Sequence, residues 1–491
     1  MSAGGHGAFL AVLLLPATLA ARTADPVRKL NASVEGLVRA VEAKGSAKVG
    51  IEIRSLDRSE TLVQRRSDRL FAAASNTKLL VTATALAMLG RDAAFETRFL
   101  AAGPVESGTL RGPLLVRGGG DPCLSSRFHP PDAAAAFEPV VAALEREGIR
   151  RIEQGLLLDA RAFDAQTVAP GWPRDQLAKD YCAPVAALNL NEGCVEISVS
   201  AGAAGAPARV RVLPGGSPFR LVPSVTTVPG RPKTIVDASF ADGTTLRVRG
   251  TIGAQAPPYA FRLSVPDPVS FFGNVLAGAL RARGIEVLGE IRALAPGEDP
   301  PAGGREVASL RSPLYPALVA INKASVNVCA EHVLKSLGAS FENDGSWEGG
   351  IRAVRKFLER EGIGTDGFAM ADGSGLSRDN RFSPALLVSL LERMWKSPER
   401  EDFFLTLPKP GEPGTTLGSR GRTAAVRDAV RAKTGWIAGA SALSGYVRTV
   451  DDEALAFSIL VNDAARTPNH VFKTMQDEIV RLLAGFSRDE E

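Results

Sequence analysis

Three alternating stretches near the C-terminus constrain the fold more than anything else in this 491-residue chain. VRAKTGWI (430–437), ASALSGYVRT (440–449) and EALAFSILVN (453–462) each read as a strand, and only a few residues join them. Links that short leave no room for a crossover, so the three form an antiparallel meander. A helix over about 468–483 follows. The N-terminal region supplies matching parts. Leu30, Val34, Leu37, Val38 and Val41 recur at helical spacing within 26–42. KVGIEIRSLD (48–57) and ETLVQRRS (60–67) read as two strands about a turn at Arg58 and Ser59. The economical architecture is α+β: one five-stranded antiparallel sheet drawn from both ends of the chain, with helices packed on it.

The middle is different in kind. From about Phe95, short β-like runs such as ETRFLAAG, GPLLVRGG, QGLLLDAR, CVEISVSAG and TTLRVRGTIG alternate with Gly and Pro clusters as far as Tyr259. Helical patterns resume with PVSFFGNVLAGALRARG (268–284) and continue through WEGGIRAVRKFLEREG (347–362) and RFSPALLVSLLERMWKS (381–397). The predicted organisation is therefore one domain split into 25–96 and 263–491. A β-rich insertion over 97–262, read as two nested units, separates the halves. Residues 1–24 read as a signal peptide. The apolar run Ala8–Ala20 is too short for a comfortable membrane span, and Thr18-Leu19-Ala20 suits a small-residue cleavage site. The n-region carries His6 but no Lys or Arg, so an uncleaved anchor or a mis-called start is the alternative.

Bulk properties exclude some functions. The chain is 45% hydrophobic and 23% charged, ordinary for a globular protein, and its formal net charge is only +4. That charge is spread out, with no basic block, which argues against nucleic acid as a partner. The four cysteines (Cys123, Cys182, Cys194, Cys329) form no C-x-x-C pair, and His129, His332 and His470 have no metal-ligand spacing. No metal or cofactor is expected. Export permits disulfides; Cys182–Cys194 is the preferred bridge, with four buried thiols as the alternative. Cys329 reads as a core thiol and His332 as a helix-surface residue.

The chemistry starts at FAAASNTKLLVTATALAMLG (71–90), where a polar cluster opens an alanine-rich helix. Ser75 and Lys78 are three apart, hence on one helix face, so the lysine can serve the hydroxyl as a base. The helix N-terminus favours developing negative charge. Alone, this S-x-x-K is as well read as a helix cap. Two further triplets decide the matter. Ser325-Val326-Asn327 lies in a polar break between apolar helical stretches, and Lys433-Thr434-Gly435 lies in a predicted strand. S-x-x-K, S-x-N and K-T-G in that order are the signature set of penicillin-recognising serine acyltransferases.

With these motifs, and with GGGDPCLS (118–125), APGWPRD (169–175), APVAALNLNEG (183–193) and DGSGLSRDNRFSP (372–384), the chain resembles the class C low-molecular-mass penicillin-binding proteins. These are D-alanyl-D-alanine carboxypeptidases/endopeptidases. The resemblance covers nearly the whole mature chain, and the long insertion between the first two motifs sets the family apart from ordinary β-lactamases. It implies a penicillin-binding/β-lactamase-like domain with a helical subdomain. It also implies roles: Ser75 as nucleophile, Lys78 as base, Ser325 as proton relay, and Asn327 as holder of the substrate amide and of Lys78. Lys433 and Thr434 would meet the terminal carboxylate, with Lys433 also lowering the proton affinity of Lys78. Gly435 would leave room for substrate along the strand edge. The N–H groups of Ser75 and Trp436 would form an oxyanion hole. Asp175 would bind the free amine of the third-position diamino acid, and Ser374 and Gly375 would form a structural turn. Trp436 departs from the small or hydroxyl residue usual after K-T-G. The implied partners are peptidoglycan peptides and β-lactams. A β-lactamase-like serine esterase and a non-catalytic cell-wall-peptide or penicillin binder are the rival readings.

Overall fold

The computed structural model describes residue 1 and residues 25–295, 297–421, 424–463 and 467–489. The expected signal segment lies outside the described residues. Among those residues, no helix is long and apolar enough to cross a membrane.

The five expected strands form one antiparallel sheet in the order Glu60–Arg65, Lys48–Ser55, Ala454–Asn462, Ala440–Arg448, Val430–Ile437. The two chain ends meet at its centre, where Ile51 pairs with Ile459 and Ile53 with Phe457. One face is covered by the first and last helices, Pro26–Glu42 and Asn469–Ala484. Each lays an i, i+4 apolar stripe on the sheet: Leu30, Val34, Val38 and Val41 from one, Phe472, Met475, Ile479 and Leu483 from the other. The opposite face carries the helices Thr77–Leu89, Asn327–Glu342, Trp347–Arg360 and Pro384–Trp395, which share a second core. Thr77–Leu89 is buried on every side over its first ten residues, which explains its continuous apolar composition.

The inserted unit has its own mixed sheet, ordered Ile291–Ala293, Leu156–Asp159, Leu114–Arg117, Ala94–Ala101, Arg305–Pro313. Two further three-stranded sheets lie within 194–264. Here the structure revises the boundary expected at 262. The helix Pro268–Ala282 buries Phe271, Phe272, Val275 and Leu280 against Phe137, Val140 and Leu144 of the insertion. Arg305–Pro313 then pairs antiparallel with Ala94–Ala101, so the chain leaves the insertion near 313. Helical periodicity is blind to which core a helix serves.

Two further expectations change. All four cysteines are free and buried, so the Cys182–Cys194 bridge is not present. His332 is fully buried rather than on a helix surface. Its Nδ1 lies 2.9 Å from the Gly120 carbonyl and its Nε2 lies 3.1 Å from the Asn189 amide. It thus stitches GGGDPCLS and APVAALNLNEG to the helix Asn327–Glu342. Lys335 works the same seam: it is fully buried, 2.5 Å from Asp164 of the insertion, and lies over the Trp347 ring.

Phe457, fully buried where the two chain ends pair, is the most economical test of this closure. Phe457→Ala is expected to cost about 3–5 kcal/mol, read as a lower denaturant midpoint with an unchanged slope.

Candidate active site

Ser75 sits on a single tight turn, Ala74–Asn76, directly before the helix Thr77–Leu89. Ala74 holds the left-handed conformation (φ 46°), which a non-glycine residue keeps only when its surroundings force it. Two glycines leave room for this backbone. A Cβ on Gly375 would lie 1.8 Å from the Ala74 carbonyl oxygen, and one on Gly435 would lie 2.9 Å from the Ala73 oxygen and 3.1 Å from the Ser75 nitrogen. Gly435 therefore makes room first for the backbone of Ser75 itself, a closer constraint than passage of substrate along the strand. Asn76 locks the arrangement. In the amide orientation that satisfies every partner, it donates to the Lys433 carbonyl (3.1 Å) and accepts from Ser444 N–H (3.2 Å) and Oγ (2.6 Å).

Lys78 is fully buried. Its Nζ lies 3.1 Å from Ser75 Oγ, 2.7 Å from Asn327 Oδ1 and 2.6 Å from the Ser374 carbonyl oxygen. Asn327 also donates through Nδ2 to the Tyr181 carbonyl at 2.8 Å, which fixes which end of its amide faces the lysine. Ser325 ends a wide π-type turn, Ala320–Ala324, in the left-handed conformation (φ 60°). Lys433, also fully buried, donates to Ser325 Oγ at 3.0 Å and to the Thr434 carbonyl at 2.9 Å. The three motifs, hundreds of residues apart in sequence, thus meet in one hydrogen-bonded cluster.

Burial lowers Lys78 from the ordinary lysine range to about 8, and the carboxylates of Glu331 and Asp372 limit the fall. Lys433 is lowered well below its ordinary value, first by burial and then by repulsion from Lys78. Burial is thus the larger cause at both lysines, and the repulsion between the two cations acts on each of them.

Glu331 and Asp372 carry a second layer of the site that the motifs did not reveal. Glu331 accepts from the Gly373 and Ser374 N–H groups (2.7 and 2.8 Å) and from Trp347 Nε1 (2.8 Å). Asp372 accepts from Gly375 and Ser377 N–H (both 2.7 Å), Asn380 Nδ2 (2.8 Å) and Trp172 Nε1 (3.0 Å). Together they shape the DGSG turn so that its Ser374 carbonyl points at Lys78. That turn is structural in form and holds a group of the site. Glu331 stands four residues after Asn327, on the same helix face, and that spacing was the available signal. Burial pushes Glu331 up to about 7.

A cleft of about 590 Å³ opens over Ser75, lined also by Asn327, Tyr181, Leu376, Arg378 and Trp436. Trp436 is 60% exposed and forms part of the wall. Asp175 is exposed on the short turn Arg174–Gln176; its neighbours Pro173 and Gln176 line the cleft, and Asp175 does not.

A buried lysine beside a serine at a helix start, facing the edge strand of a five-stranded antiparallel sheet, defines the class of active-site serine acyltransferases with a penicillin-binding fold. The chain belongs to the D-Ala-D-Ala carboxypeptidase 3 (S13) family, whose model matches residues 30–486. It is 30% identical to a D-alanyl-D-alanine carboxypeptidase of an Actinomadura species, over 99% of this chain and 92% of that one. It is 26% identical to D-alanyl-D-alanine carboxypeptidase DacB of Haemophilus influenzae, over 84% and 85% of the two chains. The fold matches the crystal structure of penicillin binding protein 4 from the same organism with a TM-score of 0.78 at 24% identity, covering 91% of this chain and 99% of that one.

A lysine lowered to about 8 loses its proton as pH climbs through that value, and the free amine is the form able to accept a proton from Ser75. Acylation of Ser75 by a β-lactam is therefore expected to rise with pH and level off above about 8. In Glu331→Gln the rise should move to lower pH, because a negative charge that favours the ammonium is gone. Stopped-flow acylation rates across pH check both; a flat profile would remove Lys78 as the base.

Proposed function

We propose that this protein is a serine D-Ala-D-Ala carboxypeptidase, also active as an endopeptidase, that acts on peptidoglycan stem peptides through an acyl-enzyme on Ser75. One observation carries this reading: Lys78 Nζ has two fixed acceptors, Asn327 Oδ1 and Ser374 O, in addition to Ser75 Oγ. A neutral amine keeps two N–H groups. When both are held by those acceptors, its lone pair is directed at the Ser75 hydroxyl.

The reaction follows from that geometry. Ser75 Oγ attacks the carbonyl carbon of the bond between the two terminal D-alanines, and its proton passes to Lys78. The carbonyl oxygen takes the negative charge and is received by the Ser75 and Trp436 N–H groups. Lys78 then returns that proton by way of Ser325, held by Lys433, to the departing nitrogen as the C–N bond breaks, which leaves Lys78 a free amine and Ser325 a hydroxyl. Thr434 and Lys433 receive the terminal carboxylate of the leaving D-alanine. Water then attacks the ester and gives one proton to Lys78, which passes it to Ser75 Oγ as the C–Oγ bond breaks, so that Ser75 returns as a hydroxyl and Lys78 as a free amine. A β-lactam presents the same carbonyl and carboxylate and acylates the same oxygen. In an endopeptidase reaction, the leaving amine belongs to a cross-linking residue in place of free D-alanine. Asp175, close to the cleft on an exposed turn, is proposed to meet the amine of the third-position residue. The protein is proposed to be exported and to act in the periplasm or cell-wall space.

Fluorescent penicillin is expected to form a covalent adduct with the wild type and none with Ser75→Ala, read by in-gel fluorescence and peptide mass. Labelling that survives the substitution would sink the assignment. Rapid penicillin turnover without a stable adduct would favour a β-lactamase-like esterase.

Lys433→Ala is expected to lower kcat/KM by about 10²-fold or more on peptides with a free terminal carboxylate. The loss should be much smaller on C-terminally amidated peptides. Equal losses on both would contradict the carboxylate role.

A further inference from the structure

The net positive charge of this chain is carried by one segment of the insertion. Residues 201–260 hold seven basic residues (Arg209, Arg211, Arg220, Arg231, Lys233, Arg247, Arg249) against Asp237 and Asp242, a net +5 in a chain whose total is +4. The remainder of the molecule therefore sums to −1.

Strand register puts most of this charge on one side. In the sheet Arg220–Val228, Thr245–Gly253, Ile235–Phe240, Arg220 aligns with Thr245, Val222 with Arg247 and Ser224 with Arg249. Across the other edge, Ser239 aligns with Arg247 and Asp237 with Arg249. Aligned residues share a face. Alternate residues, Val225, Leu246, Val248 and Ile252, are buried in the core of the insertion, so the arginine face looks outward. The preceding segment extends it. Pro207 bridges antiparallel to Thr226, and alternation carries Arg209 and Arg211 onto the same side, where both are exposed. Asp237, paired with Arg249 at 3.2 Å, is one acid on this face, and Glu196, aligned with Leu213 beside Arg211, is another. Among the described residues, Arg209, Arg211 and Arg247 make no ion pair. Val222 (39% exposed) and Ile235 (65% exposed) stand between the arginines. The face is open: none of these residues lines the principal cavities.

We propose that this face docks the protein on an anionic phospholipid surface. Guanidiniums spread in two dimensions across several strands, with aliphatic side chains among them, fit a plane of phosphate headgroups. A single polyanionic strand would instead track a groove. The proposal rests on charge and register and is independent of the chemistry at Ser75.

The test uses the full mature chain and two vesicle types, phosphatidylcholine alone and an equimolar mixture with phosphatidylglycerol. Co-sedimentation with the anionic vesicles at low salt, lost at high salt and absent with neutral vesicles, is expected. Each basic residue at such a surface raises partitioning roughly fivefold, so Arg209→Ser/Arg211→Ser/Arg247→Ser should lower it about a hundredfold. The same three positions changed to lysine should keep it. Peptide hydrolysis in solution should be unchanged in both variants, which shows that they are folded. Failure of the wild type to bind anionic vesicles, or binding retained by the serine variant, would overturn the proposal. So would soluble polyphosphate that binds as tightly per phosphate as the vesicles, since it would make the face a polymer site.

Discussion

The burial of one lysine amine organises this molecule. Lys78 Nζ takes its partners from three other places in the chain: Ser75 beside it, Asn327 on a second helix and Ser374 in a turn between elements. Removing a charge-bearing group from water is costly unless its hydrogen bonds are met, and burial also brings its proton affinity toward neutrality. The same desolvation that makes Lys78 expensive to fold makes it usable as a base. The satisfied acceptors around it keep that cost tolerable.

Much of the surrounding structure is a brace for those acceptors. Glu331 and Asp372 are themselves buried, and each is saturated by backbone N–H groups and a tryptophan indole. Trp172 comes from the inserted unit and Trp347 from the helical subdomain, so both units grip the DGSG turn. His332 and Lys335 join the same helix to the insertion from its other side. The insertion is thus fastened to the element that presents Asn327, and its Tyr181 carbonyl orients that amide directly.

Legibility followed the range of the forces involved. Strand alternation and helical stripes are local, and they placed the five-stranded sheet and its two outer helices. Ser75, Lys78, Ser325, Asn327 and Lys433 were visible because each chemical role demands one residue type in a short motif. The boundary near 313 was not visible, because the helix Pro268–Ala282 has the same pattern whichever core receives it. Asn76 belongs to none of the motif positions and is a strut to the K-T-G strand. His332 looked like a surface residue, although its two buried partners lie over a hundred positions away.

By itself, then, the sequence determined the elements, the α+β class and the candidate reactive groups, because these depend on composition and spacing within a few turns of chain. Only the tertiary structure decided the state and aim of those groups. Desolvation of Lys78, the direction of its lone pair and the close approach allowed by Gly375 and Gly435 arise from contacts between residues distant in sequence, and strand pairing sets the arginines of 201–260 on one face. Such contacts depend on distance and burial in three dimensions, and linear spacing carries neither.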